Sequence, residues 1–166
     1  MIFYQEDKIY AFGGLSEDYI LKTCEYFDYA TKKWIRMADL NRHQKGGSVI
    51  NYKDEFWLIG YLIKDSEGYL IERYIRSKNS WEIVDLKFGS KMIYMTSLLS
   101  PCENEILIFY IETDWRICKL NLMDHTIIAV PEFSDRYRKP IRVLPVDESK
   151  IMVMYKNYRS EYGFAL

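Results

Sequence analysis

Two histidines, three cysteines and scattered carboxylates are the side chains of this 166-residue sequence most able to do chemistry. A histidine-rich metal centre needs several imidazoles converging on one ion, and the chain has only His43 and His125, which fall at opposite ends of their repeat units. Cys24, Cys102 and Cys118 are odd in number and lack CxxC spacing, so they form neither a closed disulfide framework nor a zinc motif. Thiols filling a core in a reduced, cytoplasmic compartment are the expectation. The neighbouring carboxylates Glu17 and Asp18 point different ways and do not make an acid–base couple. No nucleophile elbow, phosphate-binding loop, HExxH or EF-hand pattern occurs. The residues therefore predict no catalytic group, no metal and no cofactor.

Recognition is better supplied. Trp, Tyr and Arg dominate the energy of protein interfaces, and the chain has 15 tyrosines and 4 tryptophans. Its 23 Lys+Arg balance 24 Asp+Glu, for a formal charge of −1. Phosphate backbones and acidic membranes demand an excess of cations on one face, so the expected partner is neither nucleic acid nor membrane. Aromatics at 16% and hydrophobics at 49% favour a packed, strand-rich, all-β domain. No apolar stretch reaches the ~18 residues of a membrane span.

The elements that must position those residues emerge from an internal repeat. Four acid-containing turns each open onto an unbroken apolar run: QEDK-IYAF, YKDE-FWLI, CENE-ILIFY and DESK-IMVMY. The runs open at Lys8, Glu55, Glu105 and Lys150, spaced by 47, 50 and 45 residues. Such runs are too short for buried helices and predict strands covered on both faces. A second marker keeps the same period. Phe27, Tyr74 and Leu120 each lead through a turn to a bulky residue seven positions on, namely Trp34, Trp81 and Ile127. Each period then holds a four-stranded meander, the signature of a β-propeller blade.

The chain resembles the kelch-repeat family. The resemblance rests on IYAFGG with Gly13 and Gly14, on Phe27-Asp28, on Trp34 and on Arg42. The second unit keeps Gly60, Tyr74 and Trp81, while the third and fourth have lost the glycine pair. The resemblance implies blades at about 1–40, 46–87, 91–131 and a partial one at 140–166, within a single propeller segment. Three and a half blades predict an incomplete ring, belonging to a longer propeller or completed by self-association or another chain. The copper oxidases of this class need more histidine ligands than the chain has.

In such a meander the connections after the second and fourth strands emerge on one side. Longer, variable loops on a rigid scaffold are where binding usually resides. That side should carry Tyr19, Tyr69 and Trp115, with Arg42, His43, Arg136 and Arg138 from the links between blades. Tyr19 and Tyr69 could equally pack across neighbouring blades, and Arg42 could bond backbone carbonyls between them. The resemblance implies a non-catalytic protein-interaction module, either a scaffold or a substrate-recruiting subunit. The second reading is a carbohydrate-active propeller enzyme, of mutarotase or hydrolase type, with an incomplete ring.

Overall fold

A computed structural model describes residues 1–17, 19–62, 68–84, 95–99, 104–111, 115–135, 138–145, 151–157 and 162–165. Side chains are described for 1–17, 19–44, 47–60, 70–84, 104–109, 116–130, 152 and 154. The described chain is built from antiparallel strands. β1 (Ile2–Gln5), β2 (Lys8–Ser16), β3 (Tyr19–Asp28) and β4 (Lys33–Arg36) form one sheet in chain order. β5 (Gln44–Tyr52), β6 (Glu55–Leu62), β7 (Gly68–Ile75) and β8 (Ser80–Val84) form the second. β9 (Met95–Leu99), β10 (Glu105–Ile111), β11 (Trp115–Asn121) and β12 (Ile127–Asp135) form the third. β13 (Arg138–Pro145), β14 (Ile151–Asn157) and β15 (Tyr162–Ala165) make a three-stranded sheet. These are the meandering blades that the repeat predicts, although β5 starts at Gln44, β12 runs to Asp135 and β13 begins at Arg138.

The first two acidic turns are the tight hairpins that join the first two strands of a blade. Glu6 and Asp7 have φ of 50° and 56°, and Lys53 and Asp54 have φ of 48° and 63°. Two consecutive left-handed residues define the turn whose twist matches a two-residue β-hairpin. In the first turn the Tyr4 hydroxyl donates to Asp7 Oδ1 at 3.0 Å. The Phe-Asp signature has a comparable local cause. Asp28 accepts from the Thr31 hydroxyl at 2.8 Å and the Ala30 N–H at 3.1 Å, closing the turn into β4.

The chain divides into two compact units, Met1–Lys87 and Phe88–Leu166. In the second, β13 runs beside β9, and Ile106, Ile108, Phe109, Cys118 and Leu120 are buried. In the first, β5 lies against β2 and β3, and the two sheets share an aromatic core. Tyr10 and Phe12 set their rings at a tilt against Phe56, with centroids 4.6 and 5.2 Å apart, and Phe12 meets Trp81 edge-on at 5.5 Å. Aromatic pairs at such distances add to the burial of their area.

The expectation of strands covered on both faces holds for β6, where Phe56, Trp57, Leu58 and Ile59 are all buried. It fails for β2. Tyr10 and Phe12 are buried there, while Ile9 and Ala11 on the other face are only partly so. The physical reason is that one face of the first sheet packs on the second sheet and the opposite face stays open. Trp34, on that open face, is 52% exposed, whereas its counterpart Trp81 is 6% exposed.

Candidate functional site

The site is built by the segment that links the first two blades. After β4, Met37 N–H donates to Cys24 O and Leu40 N–H to Lys22 O, both at 2.9 Å, so the link runs on beside β3. Lys22 Nζ then donates to Asn41 O at 2.9 Å. From the other side, the buried carboxylate of Glu72 on β7 takes hold of it. Glu72 Oε2 accepts Asn41 N–H at 2.9 Å and Asn41 Nδ2 at 2.8 Å. Glu72 Oε1 accepts Arg42 N–H at 3.2 Å and Gln44 Nε2 at 2.5 Å. Two carboxylate oxygens can accept about four donors, and these are all taken from one link.

Glycine makes the room for it. Gly13 sits at φ +50°, in a bulge of β2, and a Cβ there would lie 3.0 Å from Gln44 O. A Cβ at Gly60 would collide with the Gln44 carboxamide. The glycines of the signature thus admit Gln44 between the blades, and Gln44 is fully buried.

Anchored in this way, the link presents Arg42 and His43 to solvent. His43 Nδ1 lies 2.6 Å from Ile20 O. A carbonyl only accepts, so Nδ1 carries the proton in this contact. That contact sets the link beside the start of β3, where Tyr19 is 73% exposed. Ser16 pairs with Tyr19 across the β2–β3 hairpin, and the neighbouring Leu15 is 61% exposed. Tyr19, Arg42 and His43 are therefore brought to one end of the first unit, as the meander predicts, and Leu15 joins them. The Arg42 guanidinium does not bond carbonyls between blades among the described residues; the Arg42 main chain and the side chains of Asn41 and Gln44 bond the neighbouring blade.

Of the other expected site residues, three are described through their backbone alone. Tyr69 lies in β7 opposite Tyr61, Trp115 opens β11 opposite Ile111, and Arg138 opens β13 opposite Asn157. Their side chains, and Arg136 altogether, lie outside the described residues. Glu72, Asn41 and Gln44 were missed by sequence reasoning. A carboxylate set inside the apolar run YLIERYI was the available signal, because burial of an acid requires donors around it.

Among the described residues, no group of three His, Cys, Asp or Glu is placed to hold a metal ion. Carboxylates with displaced pKa values, Asp28, Glu82 and Asp124, are all lowered, first by side-chain hydrogen bonds from Thr31, Arg73 and Thr126 respectively. A general acid needs the opposite shift. Burial pushes the Cys24 and Cys118 thiols up to about 12, away from nucleophilic use.

Comparison with known proteins accords with the blades. The kelch motif model matches residues 4–41. Kelch repeat protein C2 of vaccinia virus (strain Western Reserve) is 27% identical over 78 residues, 46% of this chain and 15% of that protein. The C2 protein of cowpox virus (strain GRI-90 / Grishak) matches to the same extent. Kelch-like protein 41a of Danio rerio is 31% identical over 94 residues, 50% of this chain and 16% of the relative. The matched stretch is thus a small part of each relative. Sheet by sheet, the four-stranded meander, the bulged glycine, the Phe-Asp turn and the Trp anchor accord with this likeness, and the chain is similar to kelch-repeat proteins.

Proposed function

We propose that the chain is a non-catalytic protein-binding module whose contact surface is the loop end carrying Leu15, Tyr19, Arg42 and His43. The observation that carries this reading is the His43 Nδ1 contact with Ile20 O, which joins two connections into one surface. An exposed aromatic ring, an exposed aliphatic side chain and a cation at one end of the unit suit a protein partner. The rest of the link is held by Glu72, so the surface is preorganised and little ordering entropy is lost on binding. Its role is that of a scaffold or substrate-recruiting subunit in the cytoplasm, a location supported by the unpaired, buried thiols of Cys24 and Cys118.

The test is affinity capture with quantitative mass spectrometry, comparing the native chain with Tyr19→Ala/Arg42→Ala and with Lys33→Ala. Lys33 is exposed at the start of β4 and stands outside the surface. Partners lost with the double variant and kept with Lys33→Ala support the reading. Equal recovery with all three chains would remove this surface from the function.

A further inference from the structure

Charged residues that face each other across paired strands carry opposite signs almost everywhere among the described residues. Lys8 pairs with Asp28, Asp28 with Lys33, Glu25 with Arg36 and Arg73 with Glu82. One described pair breaks the rule: Lys139 on β13 lies opposite Lys156 on β14. Residues so opposed have Cβ atoms about 4.5–5.5 Å apart, and like charges there destabilise a sheet. The place of Lys156 is taken by Tyr61 in the second sheet, between Lys45 and Tyr69, and by Ile111 in the third, opposite Trp115. Neither sheet opposes two cations there.

The contrast extends to the whole fourth sheet. β13, β14 and β15 carry Arg138, Lys139, Arg142 and Lys156 and no acid, whereas each of the other three sheets has acids in its strands. This concentration of cations occurs in a chain whose formal charge is −1. A register shift between Pro140 and Arg142 adds to it. Strict alternation from Lys139 would give the same face to residue 141, but the irregularity brings Arg142, opposite Met154, to the face that holds Lys139 and Lys156. Arg138, opposite Asn157, belongs to the other face. Met152 and Met154, on the cationic face, are partly exposed, so solvent reaches it.

We infer that the face bearing Lys139, Arg142 and Lys156 is a binding site for a phosphorylated segment of a protein partner. Two opposed lysines call for two negative charges at one point. A phosphomonoester carries about −1.5 to −2 at pH 7 with three acceptor oxygens, while a carboxylate or a nucleic-acid phosphodiester carries a single charge. Arg142, on the same face, adds the guanidinium type that pairs best with phosphate oxygens. Met152 and Met154 offer adaptable apolar surface to the residues that flank a phosphate in a peptide, which a free phosphate ester lacks. The site asks nothing of the first-unit surface, so either can fail without the other.

The test is fluorescence anisotropy of a degenerate peptide pool with a fixed phosphoserine, titrated with the full chain, beside pools carrying serine or aspartate in its place. The phosphoserine pool should bind at least about ten-fold tighter than either, and Lys156→Tyr should abolish the difference. Lys139→Gln should do the same, while Arg138→Gln, on the opposite face, should leave it intact. Folding of the second unit is followed through urea-dependent alkylation of Cys118, which is 1% exposed. In phosphate-free buffer Lys156→Tyr should raise that midpoint by removing the like-charge pair, and inorganic phosphate should raise it in the native chain alone. Equal binding of the phosphoserine and serine pools overturns the inference, as does equal loss with Arg138→Gln. Equal binding of the aspartate pool assigns the face to carboxylates, and protection by inorganic phosphate with no peptide preference reduces it to a free-anion site; either result removes the phosphopeptide. A lower midpoint in Lys156→Tyr makes Lys156 a structural residue and overturns its role in binding.

Discussion

Glu72 and Asn41, thirty-one residues apart, are joined twice at the same oxygen, through the Asn41 N–H at 2.9 Å and its Nδ2 at 2.8 Å. Asn41 Nδ2 also reaches Trp81 O at 2.9 Å. One asparagine in a link thereby pins two strands of the following blade, and the loop end that carries Arg42 and His43 inherits that rigidity.

Removal of the Glu72 carboxylate should be among the most damaging polar changes in the first unit. Glu72→Ala leaves four donors without an acceptor in a buried site, a loss of about 3–5 kcal/mol. Glu72→Gln keeps one acceptor oxygen and should cost about 2–3 kcal/mol. Urea unfolding midpoints measure both, and Glu25→Gln is the internal control, expected within about 0.5 kcal/mol of the native chain.

The two tryptophan anchors should respond differently to the same substitution. Trp81 is buried among Phe12 and Tyr74, and its Nε1 donates to Ala38 O at 3.0 Å. Trp81→Ala should therefore cost about 3–5 kcal/mol. Trp34→Ala, on the open face, should cost under about 1 kcal/mol in the same denaturation experiment.

Substitution of the signature glycines should strike the inter-blade link. Gly60→Ala drives a methyl group into the Gln44 carboxamide, and Gly13→Ala adds a left-handed alanine beside Gln44 O. Each should cost about 1–3 kcal/mol. Because Gln44 Nε2 is bonded to Glu72, both variants should also speed amide exchange at Asn41 and Arg42, read by hydrogen–deuterium exchange. Exchange confined to the substituted strand would show that the glycines do not support the link.

Alkaline pH should weaken the fold through its two buried thiols. Burial raises Cys24 and Cys118 from the ordinary 9.0 to about 12, so the folded chain holds their protons more tightly than the unfolded chain. Their contribution is full below pH 9 and is lost as pH rises from about 9 to about 12. Denaturation midpoints should fall across that window. Below it, neither thiol should react with iodoacetamide until the chain unfolds, and Cys24→Ser should flatten part of the alkaline slope.

Much of this molecule is legible without coordinates, because its signals are local. Two-residue turns, apolar runs and the Trp seven residues beyond an aromatic depend on neighbours within a strand or hairpin, so strand order and blade period follow from the sequence. The placing of Tyr19, Arg42 and His43 at one end of the first unit also follows, since alternating strands bring alternate connections to one end. Three things were decided only by the tertiary structure. A buried carboxylate at Glu72 seizes a link in another blade, which no local pattern encodes. Arg42, carried at a signature position, is held to the neighbouring blade through its main-chain N–H. The third concerns strands of like sequence: β2 and β6 read alike, yet only β6 is covered on both faces. Burial belongs to what lies across from a strand, and hydrophobic runs record the demand for a partner without recording whether it is met.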